Sequence, residues 1–110
     1  MIEAMYGIEF VSNMNDGGYG VIILETGRVL GGDSSFMFVG NYEIKNGTIL
    51  ADVKCTNDRG TLQSIFGDFK EFNLHLEGVP ENSEFTLQGY MKENPELKIA
   101  VKLTRRAELP

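Results

Sequence analysis

Eight stretches of this chain carry hydrophobic residues either in alternation with polar ones or in short apolar runs, and turn-forming residues separate them. They are Tyr6–Ser12, Gly18–Glu25, Arg28–Asp33, Ser35–Ile44, Thr48–Thr56, Phe69–Glu77, Glu84–Met91 and Leu97–Arg106. A period of two marks a strand with one covered face, and its return about every ~8–12 residues predicts a small all-β barrel or sandwich. The last stretch is the clearest. Leu97, Ile99, Val101 and Leu103 share one face, while Lys98, Lys102, Thr104 and Arg106 share the other. A slip of one residue would exchange the two sets, so its register is strongly specified. The same alternation groups Ile8 with Phe10, Phe72 with Leu74 and Leu76, and Phe85 with Leu87.

The turns have their own chemistry. Asn15-Asp16-Gly17-Gly18 and Asn46-Gly47 offer the positive-φ residues of tight hairpins, and Thr26-Gly27 and Gly31-Gly32-Asp33 mark further bends. Gly78–Asn82 and Asn94-Pro95 are expected to break strands, because proline cannot donate to a ladder. Gly40 shares a face with Phe38 and Tyr42, which predicts a bulge or tight bend there. One stretch departs from the β pattern: Leu62, Ile65 and Phe66 have helical spacing and Gly67 can stop a helix, so a short helical turn over 61–66 is expected to plug one end, with an irregular loop as the alternative. Successive hairpins with short connections predict an up-and-down meander. About eight antiparallel strands can close into a barrel, which removes exposed edges. The expected architecture is one barrel domain over residues 1–110, with the last strand against the first and Lys98 and Lys102 near Glu9.

Two of the stretches are apolar on both faces, Tyr19–Leu24 and Phe36–Val39. A barrel interior takes only one of the two sets. If Tyr19, Val21 and Ile23 face one side, Ile22 and Leu24 face the other, and Met37 and Val39 similarly oppose Phe36 and Phe38. Ile22, Leu24, Met37 and Val39 are the expected outer set, covered by two-fold self-association into a homodimer.

Composition narrows the function classes. The formal charge of −6 argues against direct contact with nucleic acid, whose phosphates need clustered Lys and Arg. Lys92, Lys98, Lys102, Arg105 and Arg106 gather near the C-terminus, but Glu93, Glu96 and Glu108 dilute them. No apolar run approaches the roughly 20 residues of a membrane helix, and the first residues lack a basic region followed by an apolar stretch; cytoplasm is the expected location. Cys55 is the single cysteine, which excludes an internal disulfide and suits a small core hydrophobe.

Candidate chemistry is sparse. His75 is the single histidine and falls on the solvent face with Asn73 and Glu77. Ser34 and Ser35 follow a glycine pair, but neither a following helix nor a phosphate-loop lysine accompanies them, so a strand-to-strand turn is the simpler reading. Asp16, Asp33, Asp52, Asp58 and Asp68 are spread singly, without calcium-loop spacing. No catalytic residue, metal or cofactor is expected. Ile8, Phe10, Phe38, Tyr42, Phe72, Leu74, Leu76, Phe85 and Leu87 are the candidate barrel lining, forming either a packed core or the wall of a ligand-sized cavity. Methionines such as Met37 and Met91 suit varied partners and also fill ordinary core gaps.

The order of elements resembles the GrlR family, negative regulators of type III secretion gene expression in bacteria. The resemblance rests on Tyr6-Gly-Ile-Glu-Phe-Val-Ser-Asn13, on Gly18 and Gly20, and on Gly31-Gly-Asp-Ser-Ser35 followed by Phe38, Gly40 and Tyr42. Phe66-Gly67, Phe72-Asn-Leu-His-Leu76, Gly78 and the ending Leu103-Thr-Arg-Arg-Ala-Glu-Leu-Pro110 extend it along most of the chain. It implies a lipocalin-like eight-stranded barrel, a homodimer and regulation through a bound partner protein such as a transcription activator. Regulators of that family carry an acidic Glu-Asp-Glu-Asp motif near the hairpin that here reads Glu43-Ile-Lys-Asn-Gly-Thr48. Lys45 reverses the charge, so Glu43, Lys45, Asn46 and Gly47 form a candidate partner-binding hairpin for a different partner. The main expectation is a non-enzymatic regulator acting by protein contact. The alternative is a carrier or sensor of a small apolar ligand held in the barrel.

Overall fold

A computed structural model describes residues 2–13, 17–57 and 70–110. Its strands are β1 (Ala4–Ser12), β2 (Gly17–Glu25), β3 (Arg28–Gly32), β4 (Phe36–Lys45), β5 (Thr48–Asn57), β6 (Glu71–Gly78), β7 (Glu84–Met91) and β8 (Asn94–Ala107). Each pairs antiparallel with its sequence neighbour and β8 returns to β1, so these strands form a closed up-and-down barrel. The helical turn expected over 61–66, the Asn15-Asp16 turn and Phe69 lie outside the described residues.

Closure is set by the β1–β8 register. Ile8 lies opposite Leu103, Phe10 opposite Val101, and Glu9 opposite Lys102. Opposed residues in an antiparallel pair share a face, so the apolar sets of both strands point inward together. Lys102 therefore lies opposite Glu9 as expected, and its ammonium pairs with Glu84 at 3.2 Å. Lys98 does not reach Glu9. Its carbonyl accepts from the Asn13 amide beyond the end of β1, and its ammonium lies 5.6 Å from the centre of the Tyr90 ring.

Two hairpins turn on two residues with positive φ. Thr26 and Gly27 have φ of 52° and 77°, and Asn46 and Gly47 have 52° and 78°. Such turns twist with the right-handed hand of the strands they join. Asn94-Pro95 does not break the strand. The turn falls at Lys92-Glu93, and β8 already begins at Asn94, with a register shift between Tyr90 and Met91. Pro95 sits inside that irregularity, where its missing N–H removes no regular ladder bond.

Gly40 lies within a regular strand, with no bulge, at a point of close backbone approach. Its pairing to Val29 and Val53 is continuous, but a Cβ there would lie 2.0 Å from the Asp52 carbonyl oxygen. Neighbouring backbone crosses where a side chain would point inward, and only glycine leaves room. Gly89 is packed the same way against the His75 carbonyl.

The core is the barrel interior. Ala4, Tyr6, Ile8, Val29, Phe36, Ile49, Val53, Phe72, Leu74, Leu76, Phe85, Leu87, Ile99, Val101 and Leu103 are all buried there. One pair of the expected outer residues belongs with them. Ile22 and Leu24 are buried inside the barrel, at 7% and 2% exposure. The β1–β2 register decides this: Leu24 lies opposite Ala4 and Ile22 opposite Tyr6, and both partners point inward. Met37 and Val39 are exposed as expected, and Tyr19, Val21 and Leu30 join them outside.

Candidate functional site

Hairpin connections divide the barrel into two ends. At one end Tyr6, Phe85 and Tyr42 fill the interior. Tyr6 and Phe85 meet edge to face with ring centres 5.6 Å apart. The Tyr6 hydroxyl donates to the Ile2 carbonyl at 2.6 Å, and the Arg105 guanidinium donates to the Tyr6 hydroxyl at 3.4 Å and the Glu3 carbonyl at 3.5 Å. Burial is the main cause that raises the Tyr6 and Tyr42 hydroxyls above the ordinary tyrosine range. This end is a plug, and its residues lie below the cavity rather than around it.

Above the plug the barrel holds a cavity of about 320 Å³. Ile8, Phe10, Phe38, Phe72, Leu74, Leu76 and Leu87 line it, seven of the nine residues expected from the sequence. Tyr42 and Phe85 belong to the plug. Ile22, Leu24, Val29, Ala51, Val53 and Cys55 complete much of the wall. Alternation along β5 would have found Ala51, Val53 and Cys55, which share a face opposite Asp52 and Lys54. Phe10 and Phe38 meet edge to face at 6.3 Å, and Phe36 packs on Phe72 at 5.6 Å.

Among the described residues, Gly17–Tyr19 and Asp33–Ser35 line the mouth. Asp33 organises its own turn. Its Oδ1 accepts from the backbone N–H of Ser35 at 2.8 Å and of Phe36 at 2.7 Å, while its own N–H donates to the Phe36 carbonyl at 3.0 Å. Asp33–Ser35 is thus a strand-to-strand turn, as the sequence suggested, while Gly31 and Gly32 still belong to β3. Inside the wall, the Cys55 thiol is pushed up to about 12, first by burial and then by the negative charges of Asp33 and Glu93. A thiol held protonated is a poor nucleophile, and here Cys55 contributes apolar surface.

A second cluster lies on the outer face of β5 and β6. Asp52 accepts from or pairs with His75 Nδ1 at 3.0 Å, Glu77 Oε2 lies 2.7 Å from His75 Nε2, and Lys92 Nζ is 2.6 Å from Asp52. Hydrogen bonds to Glu77 and then Asp52 raise the His75 pKa, and bonding to Lys92 and then His75 lowers that of Asp52. His75 is on the outer face as expected, yet closely partnered. Among the described residues, no group of three or more His, Cys, Asp or Glu side chains is placed to hold a metal ion.

The candidate partner hairpin, Glu43–Thr48, projects at the plugged end. Glu43, Lys45, Asn46 and Gly47 are exposed, and Lys45 Nζ lies 3.6 Å from Glu43. It is remote in the fold from the cavity mouth, since β4 and β5 run from one end to the other.

Comparison with known proteins supports the architecture. No protein-family model matches the chain, and no curated protein matches it. A solved structure of a redesigned β-barrel is similar over 96% of this chain and 91% of its own, with a TM-score of 0.51 and 8% identity. At that identity the likeness concerns the fold alone. The class is a closed eight-stranded antiparallel β-barrel.

Proposed function

We propose that this protein binds a small apolar ligand inside the barrel. The cavity carries the reading: about 320 Å³ of space falls within the range of small-molecule sites, and its wall is almost wholly aliphatic and aromatic. A void of that size in a packed core would forfeit dispersion contacts without return, and an apolar occupant restores them. Titration calorimetry with nonanol is expected to show saturable binding at one molecule per chain. Ala51→Leu should weaken it, because the added carbons occupy the same space. In a tightly packed core that substitution would cost about 1–3 kcal/mol, whereas here stability should hold or rise. Failure of nonanol to bind, together with a destabilised Ala51→Leu variant, would remove the ligand reading.

A second reading concerns the outside of the barrel. Met5, Ile23, Leu30 and Val39 are register neighbours across four strands, and Val21 and Met37 flank Gly32 in the next row. Leu30, Val39, Val21 and Met37 are all exposed. A contiguous apolar sheet face favours association, and a second copy of the chain offers a self-complementary match across a two-fold axis. The resemblance to the type III secretion regulators adds a partner protein as a further proposal. Its candidate element, the Glu43–Thr48 hairpin, has its acid paired with Lys45, so it would suit a different partner from the acidic-motif relatives.

A further inference from the structure

Resting on the cavity reading, we infer that the ligand is an aliphatic molecule with a hydrogen-bond-donating head, an alcohol or a primary amine, seated at the Asp33–Ser35 mouth, and that carboxylates are excluded. Size sets the length. At about 30 Å³ of liquid volume per water-sized group, 320 Å³ holds roughly ten non-hydrogen atoms. Shape and chemistry set the orientation. The wall from Ile8 to Leu87 offers no partner for a polar head, whereas the mouth offers Asp33, Ser34 and Ser35. The head therefore stays at the mouth and the chain runs inward, since burying an unpaired polar group costs free energy.

Charge sets the head group. Asp33 is an acid, and among the described residues that line the cavity there is no Lys or Arg to neutralise it or to receive an anion. Its Oδ1 is held by two backbone N–H bonds, which fix the side chain. A carboxylate has about four acceptor positions, so a hydroxyl or ammonium head can still donate to it. Asp33 and Cys55 line the same cavity, so the acid lies against the interior wall. A carboxylate head would face the Asp33 charge at short range, with no Lys or Arg among the described lining residues to offset it.

Calorimetric titration of the whole chain with nonanol, nonylamine and nonanoate tests the assignment. Nonanol and nonylamine should bind at least about tenfold more tightly than nonanoate, the like-charge contact at Asp33 being the cause. Asp33→Asn keeps an oxygen for the two backbone N–H groups and removes the charge; nonanoate affinity should then rise toward that of nonanol. In the wild type, raising salt from low to high should narrow the gap between nonylamine and nonanoate, a readout that needs no variant. Nonanoate binding as tightly as nonanol, at low salt and regardless of Asp33→Asn, would overturn the head-group assignment and leave the cavity reading intact. No binding of any of the three would overturn both.

Discussion

Thr26 adopts φ of 52° although its side chain branches at Cβ, a combination that L-residues avoid. Its backbone N–H donates to Glu3 Oε2 at 2.7 Å, an anchor that any residue would retain. Asparagine tolerates the left-handed region better, and at Asn46 this chain uses it in the same kind of turn. Thr26→Asn is expected to stabilise the protein by about 1 kcal/mol, read as a higher urea midpoint with unchanged slope. His75 offers a second test at this scale. Glu77 and Asp52 both favour its charged form, so its ring signals should titrate above 6.5, its ordinary value. Asp52→Asn and Glu77→Gln should each bring the midpoint down. The linkage has a definite sign. A raised folded value means that the stabilisation from His75 is fully present below pH 6.5 and is lost as the pH rises through the folded value. A wild-type titration at or below 6.5 would mean that these contacts do not persist in solution.

Glycine lets neighbouring backbone come close to the strands of this barrel. Gly40 and Gly89 face inward, within ranks of large residues, and alternation alone would assign them side chains. At Gly40 a methyl group would overlap the Asp52 carbonyl, and carbonyl oxygen cannot swing aside as a flexible side chain does. Gly40→Ala is therefore expected to cost about 1–3 kcal/mol, measured by chemical denaturation. At Gly47 a Cβ would meet nothing within 4 Å, so Gly47→Ala isolates the cost of φ at 78°. If Gly40→Ala proved no worse than Gly47→Ala, close approach would not be what Gly40 provides. The hairpin chemistry at Thr26-Gly27 and Asn46-Gly47 was readable directly, since local φ requirements act through one or two residues. Pro95 was not. Its role depends on the shifted pairing of β7 with β8, which is a relation between strands.

The whole barrel separates two apolar surfaces, one around the cavity and one outside. Light scattering should give a dimer mass at micromolar concentration, because β2, β3 and β4 present Val21, Leu30, Met37 and Val39 together. Val39→Lys places a charge at the centre of that face and should shift the protein to monomer without unfolding it, as the side chain is already 53% exposed. Ile22→Lys would act differently. Ile22 faces the cavity, so its replacement should unfold the chain instead of merely splitting a dimer. A monomer mass for the wild type would leave the outer face without a second copy to cover it.

Strand number, strand limits and most of the lining were legible from the sequence, because period-two burial is local and repeats in every strand. All eight strands fall within a few residues of the expected limits, and Leu97, Ile99, Val101 and Leu103 face inward along with Ile8, Phe72 and Leu76. Where both faces of a strand are apolar, alternation carries no sign. Tyr19–Leu24 could be placed either way round, and only pairing with β1 put Ile22 and Leu24 inside and Tyr19 and Val21 outside. Cavity and plug were likewise beyond the sequence, since Tyr42 and Leu87 look equivalent as inward apolar residues. Their height along the barrel, and whether opposite walls meet there, depends on strand tilt and register around the closed sheet. Tertiary structure decided which inward residues fill one end and which surround empty space, because a void is a property of distances between walls and belongs to no single strand.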